Sequence, residues 1–258
     1  MLSSGVTVSG QGPLIVFLHS SLSSSKQWKK LAGSLSSHFT CINIDLIGYG
    51  LAEKVVDKSN FSFDTEISRI MEIVHAVQPN EKFHLIGHSC GGAIALKMAV
   101  SIPEQLLSLT MYEPVAFHLL DISSDMRLQL DHFTEQVASL DKDNATKAFV
   151  DFWNGDGFFK SLPEKVQGAM SNDIDKVNLD FIGIFHENYG LEALRQLTFP
   201  CLVMYGQFTP DVSKNLSESI INNLVNVQSV GVLAGHMGPI SHSHLVEPVI
   251  AEFLKELL

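Results

Sequence analysis

The sequence predicts an α/β protein built on an open, mostly parallel sheet with helices on both faces, interrupted once by a block of helices. Three observations carry that prediction. Short, nearly continuous apolar runs alternate with stretches of helical periodicity through the first 113 residues, as parallel strands buried on both sides require. The alternation stops at Pro114 and resumes near Cys201. With 258 residues, 45% hydrophobic and 17% charged, the chain is long enough for one large core.

Taken in order, residues 14–18 (LIVFL), 40–44 (TCINI), 83–86 (FHLI) and 107–112 (LSLTMY) read as strands. Residues 63–77 place Ile67, Ile70, Val74 and Val77 at helical spacing, and 91–100 read as a helix with Pro103 just beyond its end. The serine cluster from Ser20 to Ser25 reads as a loop. Between Pro114 and Leu197 only helical segments are evident, at 126–140, 146–153 and 164–177. Strands return at 201–205 and 227–233, with a helix between them at 212–224. A closing helix is expected over 247–257, with Pro248 in its first turn. The expected division is a core of residues 1–113 and 198–258 and a helical insertion of residues 114–197.

Charge narrows the partners. Seventeen basic and 28 acidic residues give a net charge of −11, and the pI is near 5.4. An acidic surface repels phosphate backbones and anionic lipid, so neither nucleic acid nor a membrane surface is an expected partner. No apolar run approaches the roughly 18 residues of a membrane span. The opening MLSSGVTVSG has no basic or apolar segment of a secretory leader. Three cysteines (Cys41, Cys90 and Cys201) without a CxxC pair argue against a disulfide scaffold or a zinc site. A cytoplasmic, metal-free protein is expected.

The chemistry concentrates at Gly87-His88-Ser89-Cys90-Gly91, which follows a predicted strand and opens a predicted helix. A serine on such a turn projects its hydroxyl into a cleft at a helix N-terminus, where developing negative charge is favoured. A serine nucleophile needs a base, and the base an orienting acid. Of 11 histidines, His236 in Ala234-Gly235-His236 follows the last strand at the carboxyl edge of the sheet, where catalytic groups of open α/β sheets gather. His242 and His244 read as surface residues entering the final helix, and His19 and His88 as local loop groups or groups that support the catalytic residues from behind. Cys90 reads as a buried structural thiol. Asp45-Leu46-Ile47-Gly48-Tyr49-Gly50 lacks the spacing of a phosphate-binding loop and reads as a turn beside the site.

These motifs, with Leu18-His19-Ser20-Ser21 after the first long strand, resemble the α/β-hydrolase superfamily, in its form with a helical cap inserted after the sixth strand. The resemblance implies a Ser–acid–His order along the chain, which Ser89 and His236 satisfy at its two ends. It also implies an oxyanion hole from the backbone N–H groups of Cys90 and Ser21, although Ser20 stands where the family usually has glycine. The acid departs from the pattern, because Thr209 of Gly206-Gln207-Phe208-Thr209-Pro210-Asp211 occupies the usual aspartate position. Glu113, at the end of the strand before the insertion, is preferred; haloalkane dehalogenases place a glutamate there. Asp211 is the alternative, otherwise read as a helix cap. Ser89 itself sets the chain apart from those dehalogenases, whose nucleophile is aspartate.

The insertion holds eight of the 16 phenylalanines, and its 14 acidic and seven basic residues supply −7 of the net charge. An aromatic, acidic lid suits a small, neutral, largely apolar ester rather than an anionic substrate. A carboxylesterase needing no cofactor is the expectation. A carbon–carbon bond hydrolase or cofactor-independent oxygenase on the same scaffold is the nearest alternative, and a non-catalytic small-molecule receptor the next.

Overall fold

The computed structural model describes residues 3–258. Its strands are β1 Val6–Gly10, β2 Leu14–Leu18, β3 Thr40–Ile44, β4 Phe83–His88, β5 Leu106–Tyr112, β6 Cys201–Gly206 and β7 Val227–Val232. They form one sheet in the order β1-β3-β2-β4-β5-β6-β7. Every pairing is parallel except that of β1 with β3. The helices are α1 Lys29–Leu35, α2 Phe63–Val77, α3 Cys90–Ser101, α4 Asp125–Ser139, α5 Lys142–Asn154, α6 Phe158–Ser161, α7 Glu164–Phe185, α8 Leu191–Leu194, α9 Asp211–Ile221, α10 Gly238–Ser241 and α11 Ser243–Lys255.

Alternation along each buried strand divides the core into two layers. Leu14, Val16 and Leu18 pack with residues of α2 and α3, while Ile15 and Phe17 pack with Leu31 and Leu35 of α1 and with Ile250 and Leu254 of α11. Each large side chain so buried contributes about 1.5–3 kcal/mol. The middle of α3 is buried all round (GGAIALKMA), so its sequence has no polar face. Strand β1 escapes sequence reading because it is a largely exposed edge strand with little apolar pattern.

Helices α4 to α8 lie between β5 and β6. The insertion therefore follows the fifth strand in chain order rather than the sixth that the resemblance implies, because only β1 precedes β2. Helix α5 packs between α4 and α7, with Phe133 stacked on Phe152 at 4.2 Å between ring centroids. Ser124 and Asp141 cap α4 and α5 by accepting from Arg127 N–H and Asn144 N–H. The Asp141 cap explains why α5 starts before residue 146. Helix α11 also begins early, at Ser243, which leaves Pro248 inside it rather than in its first turn. The carbonyl of His244 consequently lacks its usual helical donor.

Candidate active site

Ser89 sits between the last residue of β4 and the first of α3, at φ 54° and ψ −117°. That conformation costs on the order of 1–3 kcal/mol and persists only where the surroundings enforce it. The flanking glycines are a steric necessity. A Cβ on Gly87 would lie 2.3 Å from the Gly91 carbonyl oxygen, and one on Gly91 would lie 2.5 Å from that of His19.

His236 comes to this turn from the segment after β7, 147 positions along the chain. Its Nε2 is 2.9 Å from Ser89 Oγ, and its Nδ1 is 2.6 Å from Glu113 Oε2. The hydrogen-bond network assigns the tautomer: Nδ1–H donates to the carboxylate, leaving Nε2 to accept from the serine hydroxyl. Glu113 is fully buried and adopts φ 42°. Gly206 N–H donates to its Oε1 and Thr209 Oγ1–H to its Oε2, both at 2.6 Å. Thr209, at the position where the resemblance expects aspartate, thus holds a carboxylate that enters from β5 instead. Asp211 is not part of this cluster. It is the exposed first residue of α9, whose cap position is Pro210, so the expected capping role is also corrected. Its charge still favours the helix N-terminus.

Two further side chains hold the histidine segment: His88, which the sequence offers as a loop or supporting group, and Tyr112, which it does not single out. His88 Nε2–H donates to the His236 carbonyl at 2.9 Å, and Tyr112 O–H donates to the Gly235 carbonyl at 2.8 Å. Burial keeps the His88 imidazole far below its ordinary pKa, so it stays neutral with a single donor. Trp153 of α5 stacks on the His236 ring, with centroids 3.9 Å apart and an interplanar angle of 23°. Its own Nε1–H has no partner. A tyrosine closing a strand and a tryptophan within a helix carry no local signal of these roles; they become visible only when distant segments meet.

The loop after β2 is held from several sides. His19 Nε2 accepts from Leu46 N–H at 2.9 Å, so its Nδ1–H donates to the Ser20 carbonyl at 2.7 Å. Burial lowers the His19 pKa to about 4. Ser20 donates both N–H and Oγ–H to Gln27 Oε1. Serine is tolerated in place of glycine there because the left-handed residue of this loop is Leu22, at φ 56°. The N–H groups of Ser21 and Cys90 donate to no protein group among the described hydrogen bonds. Burial pushes the Cys90 thiol well above its ordinary value, which makes it unreactive.

Beside His236 opens a cavity of about 870 Å³. Phe149, Phe152, Trp153 and Phe158 line it from the insertion, and Phe208 and Met237 line it from the core. None of its lining residues is Asp, Glu, Lys or Arg. His242, expected at the surface, is half-buried and lines the cavity, while His244 is exposed. Phe159, although in the same aromatic segment, is buried away from the cavity. No group of three or more His, Cys, Asp or Glu side chains among the described residues is arranged to hold a metal. No helix among them is long and apolar enough to cross a membrane.

A family profile described as the alpha/beta hydrolase fold matches residues 13–228. The chain belongs to that family. Among curated relatives of this hydrolase, pimeloyl-[acyl-carrier protein] methyl ester esterase of Legionella pneumophila is 25% identical, over 95% of this chain and 97% of its own. Fluoroacetate dehalogenase of Burkholderia sp is 32% identical over 116 residues, which span 44% of this chain but only 38% of the dehalogenase. The enol-lactonase of Burkholderia xenovorans LB400 shares the fold at a TM-score of 0.79, with 13% identity and coverage of 98% and 96%. The alpha/beta hydrolase fold thus accommodates several chemistries, and the activity of this chain rests on its own site.

Proposed function

We propose that this hydrolase is a serine carboxylesterase acting on a neutral, largely apolar ester or related acyl compound. The observation that carries the reading is the continuous relay Ser89 Oγ–His236–Glu113, with hydrogen bonds of 2.9 and 2.6 Å. His236 Nε2 takes the Ser89 proton as Oγ attacks the carbonyl carbon, and Glu113 stabilises the imidazolium that forms. The resulting oxyanion lies at the N-terminus of α3, within the reach expected for the Cys90 and Ser21 N–H groups. Collapse expels the alcohol, which takes the proton from His236 and leaves an acyl-Ser89. Water, deprotonated by the same imidazole, then attacks the acyl carbon and releases the acid.

The uncharged cavity wall supports a neutral substrate, because an anion brought there would be desolvated without a partner. Its volume lies toward the upper end of the roughly 300–1,000 Å³ of small-molecule pockets, which favours a larger substrate than the small ester expected. We take residues 114–197 as the cap that selects it. The full-length similarity to a methyl ester esterase supports ester chemistry in particular. Labelling the folded protein with a fluorophosphonate, followed by mass spectrometry, tests the reading. Modification of Ser89 alone is expected; no adduct, or one elsewhere, would overturn it. Parallel assays with simple esters and with diketones distinguish ester cleavage from carbon–carbon cleavage.

A further inference from the structure

A buried charged cluster joins the insertion to the loop after β2. Asp180 of α7 is fully buried and accepts from Ser21 Oγ at 2.7 Å and from Tyr49 OH at 2.5 Å. Lys176, one turn earlier and also buried, donates to the same carboxylate. Its ammonium lies 3.3 Å from Glu66 of α2, which in turn accepts from Ile47 N–H at 3.1 Å. Two carboxylates and one ammonium are thus withdrawn from water at the seam between insertion and core. The desolvation of such groups offsets most of their mutual attraction, so stability alone is a weak reason for them; what they supply is a defined geometry.

The place where that geometry is delivered is specific. The Ser21 hydroxyl is the only point at which the cluster touches the loop after β2 among the described hydrogen bonds, and it belongs to the residue whose N–H faces the developing oxyanion in the proposed mechanism. The next residue, Leu22, is in the left-handed region, a conformation for a branched side chain that lasts only if the chain on either side is held. Ser20 is held from the core by Gln27. Ser23 N–H closes a turn across Leu22 onto the Ser20 carbonyl at 3.2 Å, and the side-chain hold on Ser21 itself is Asp180, on a helix of the insertion.

We propose that Asp180 is a positioning residue for the oxyanion loop: by fixing the Ser21 hydroxyl from the insertion, it aims the Ser21 N–H at the reacting carbonyl. This inference rests on the serine hydrolase reading above. It makes competence of the oxyanion hole depend on α7 being seated, although Asp180 touches neither substrate nor triad.

The test compares kcat, KM and thermal midpoint for Ser21→Ala, Asp180→Asn and their double variant, with a p-nitrophenyl ester as substrate. Ser21→Ala removes the hydroxyl but keeps the N–H. Ser21→Ala and Asp180→Asn are expected to lower kcat by about 10- to 100-fold, less than the roughly 10²–10³-fold loss of an oxyanion donor itself. KM should stay within about twofold, and the double variant should be no slower than the slower single one, as for groups acting as a unit. An unchanged kcat in Ser21→Ala overturns the inference even if Asp180→Asn fails to fold. Lower midpoints with unchanged kcat reduce the cluster to a structural latch. Both results leave Ser89 labelling intact, whereas failure of that labelling removes the hydrolase reading itself.

Discussion

Glu113 directly follows β5 at φ 42°, and its carboxylate collects donors from three segments: Gly206 closing β6, Thr209 in the following turn, and His236 after β7. The acid is therefore held both as a charge and as a shape. Glu113→Gln should lower kcat by as much as about 10⁴-fold, because an amide no longer stabilises the imidazolium and presents a donor where the histidine needs an acceptor. Asp211→Asn should leave kcat unchanged, since that side chain is exposed and outside the relay. Steady-state kinetics of the two variants decide between the carboxylates, and a crippled Asp211→Asn beside an active Glu113→Gln would reverse the assignment. Ser89→Ala and His236→Ala should each abolish turnover, with the double variant no worse than either; strictly additive losses would deny them a shared mechanism.

Helix α5 contributes at once to the packing of the insertion and to the cavity wall. Phe152 lines the cavity while stacking on Phe133 of α4, and its neighbour Trp153 lies on the His236 ring. Phe159, on α6, is buried without reaching the cavity. Replacing these rings by alanine should therefore separate the two roles. Phe152→Ala should broaden or shift the preferred ester size, measured as kcat/KM across a chain-length series. Phe159→Ala should lower stability by about 3–5 kcal/mol in urea denaturation and leave that series unchanged. An unchanged size preference in Phe152→Ala would mean that its contact with the cavity does not select substrate.

Across the whole molecule, burial of neutral histidines sets the response to acid. His19 and His84 are lowered from 6.5 to about 4, and His88 well below 6.5, in each case chiefly by burial. Between pH 6.5 and 4 the unfolded chain binds protons at these sites that the folded chain does not, so stability falls as pH falls through that window. Each histidine contributes a slope of about 1.4 kcal/mol per pH unit while the mismatch is complete. Glu66, raised by burial, acts in the opposite sense by at most one proton, so the net slope keeps its sign. Urea midpoints should therefore drop from pH 7 to pH 4.5. His84→Gln, which removes one buried imidazole that bonds Ser108, should flatten the drop by about one proton. A midpoint independent of pH over this window would contradict the assignment.

The sequence by itself determined what depends on local order. The alternation of buried runs and helical periodicity marked six of the seven strands and the long insertion, because both periods are properties of neighbouring residues. The glycines around Ser89 marked the turn for the same reason, their necessity arising within a few residues of chain. Glu113 stood out as a carboxylate directly after the strand preceding the insertion, through the resemblance to dehalogenases that carry a glutamate there. Only the tertiary structure places one of the two carboxylates, that of Glu113, 2.6 Å from His236 Nδ1 across 123 positions of chain, and that distance favours it over Asp211 as the proposed acid. The support by Thr209 and Tyr112, the stacking of Trp153 and the Asp180–Ser21 bond belong to the same class. Each joins segments that fold to one sheet edge from distant parts of the chain, and distance in space is not encoded in spacing along it.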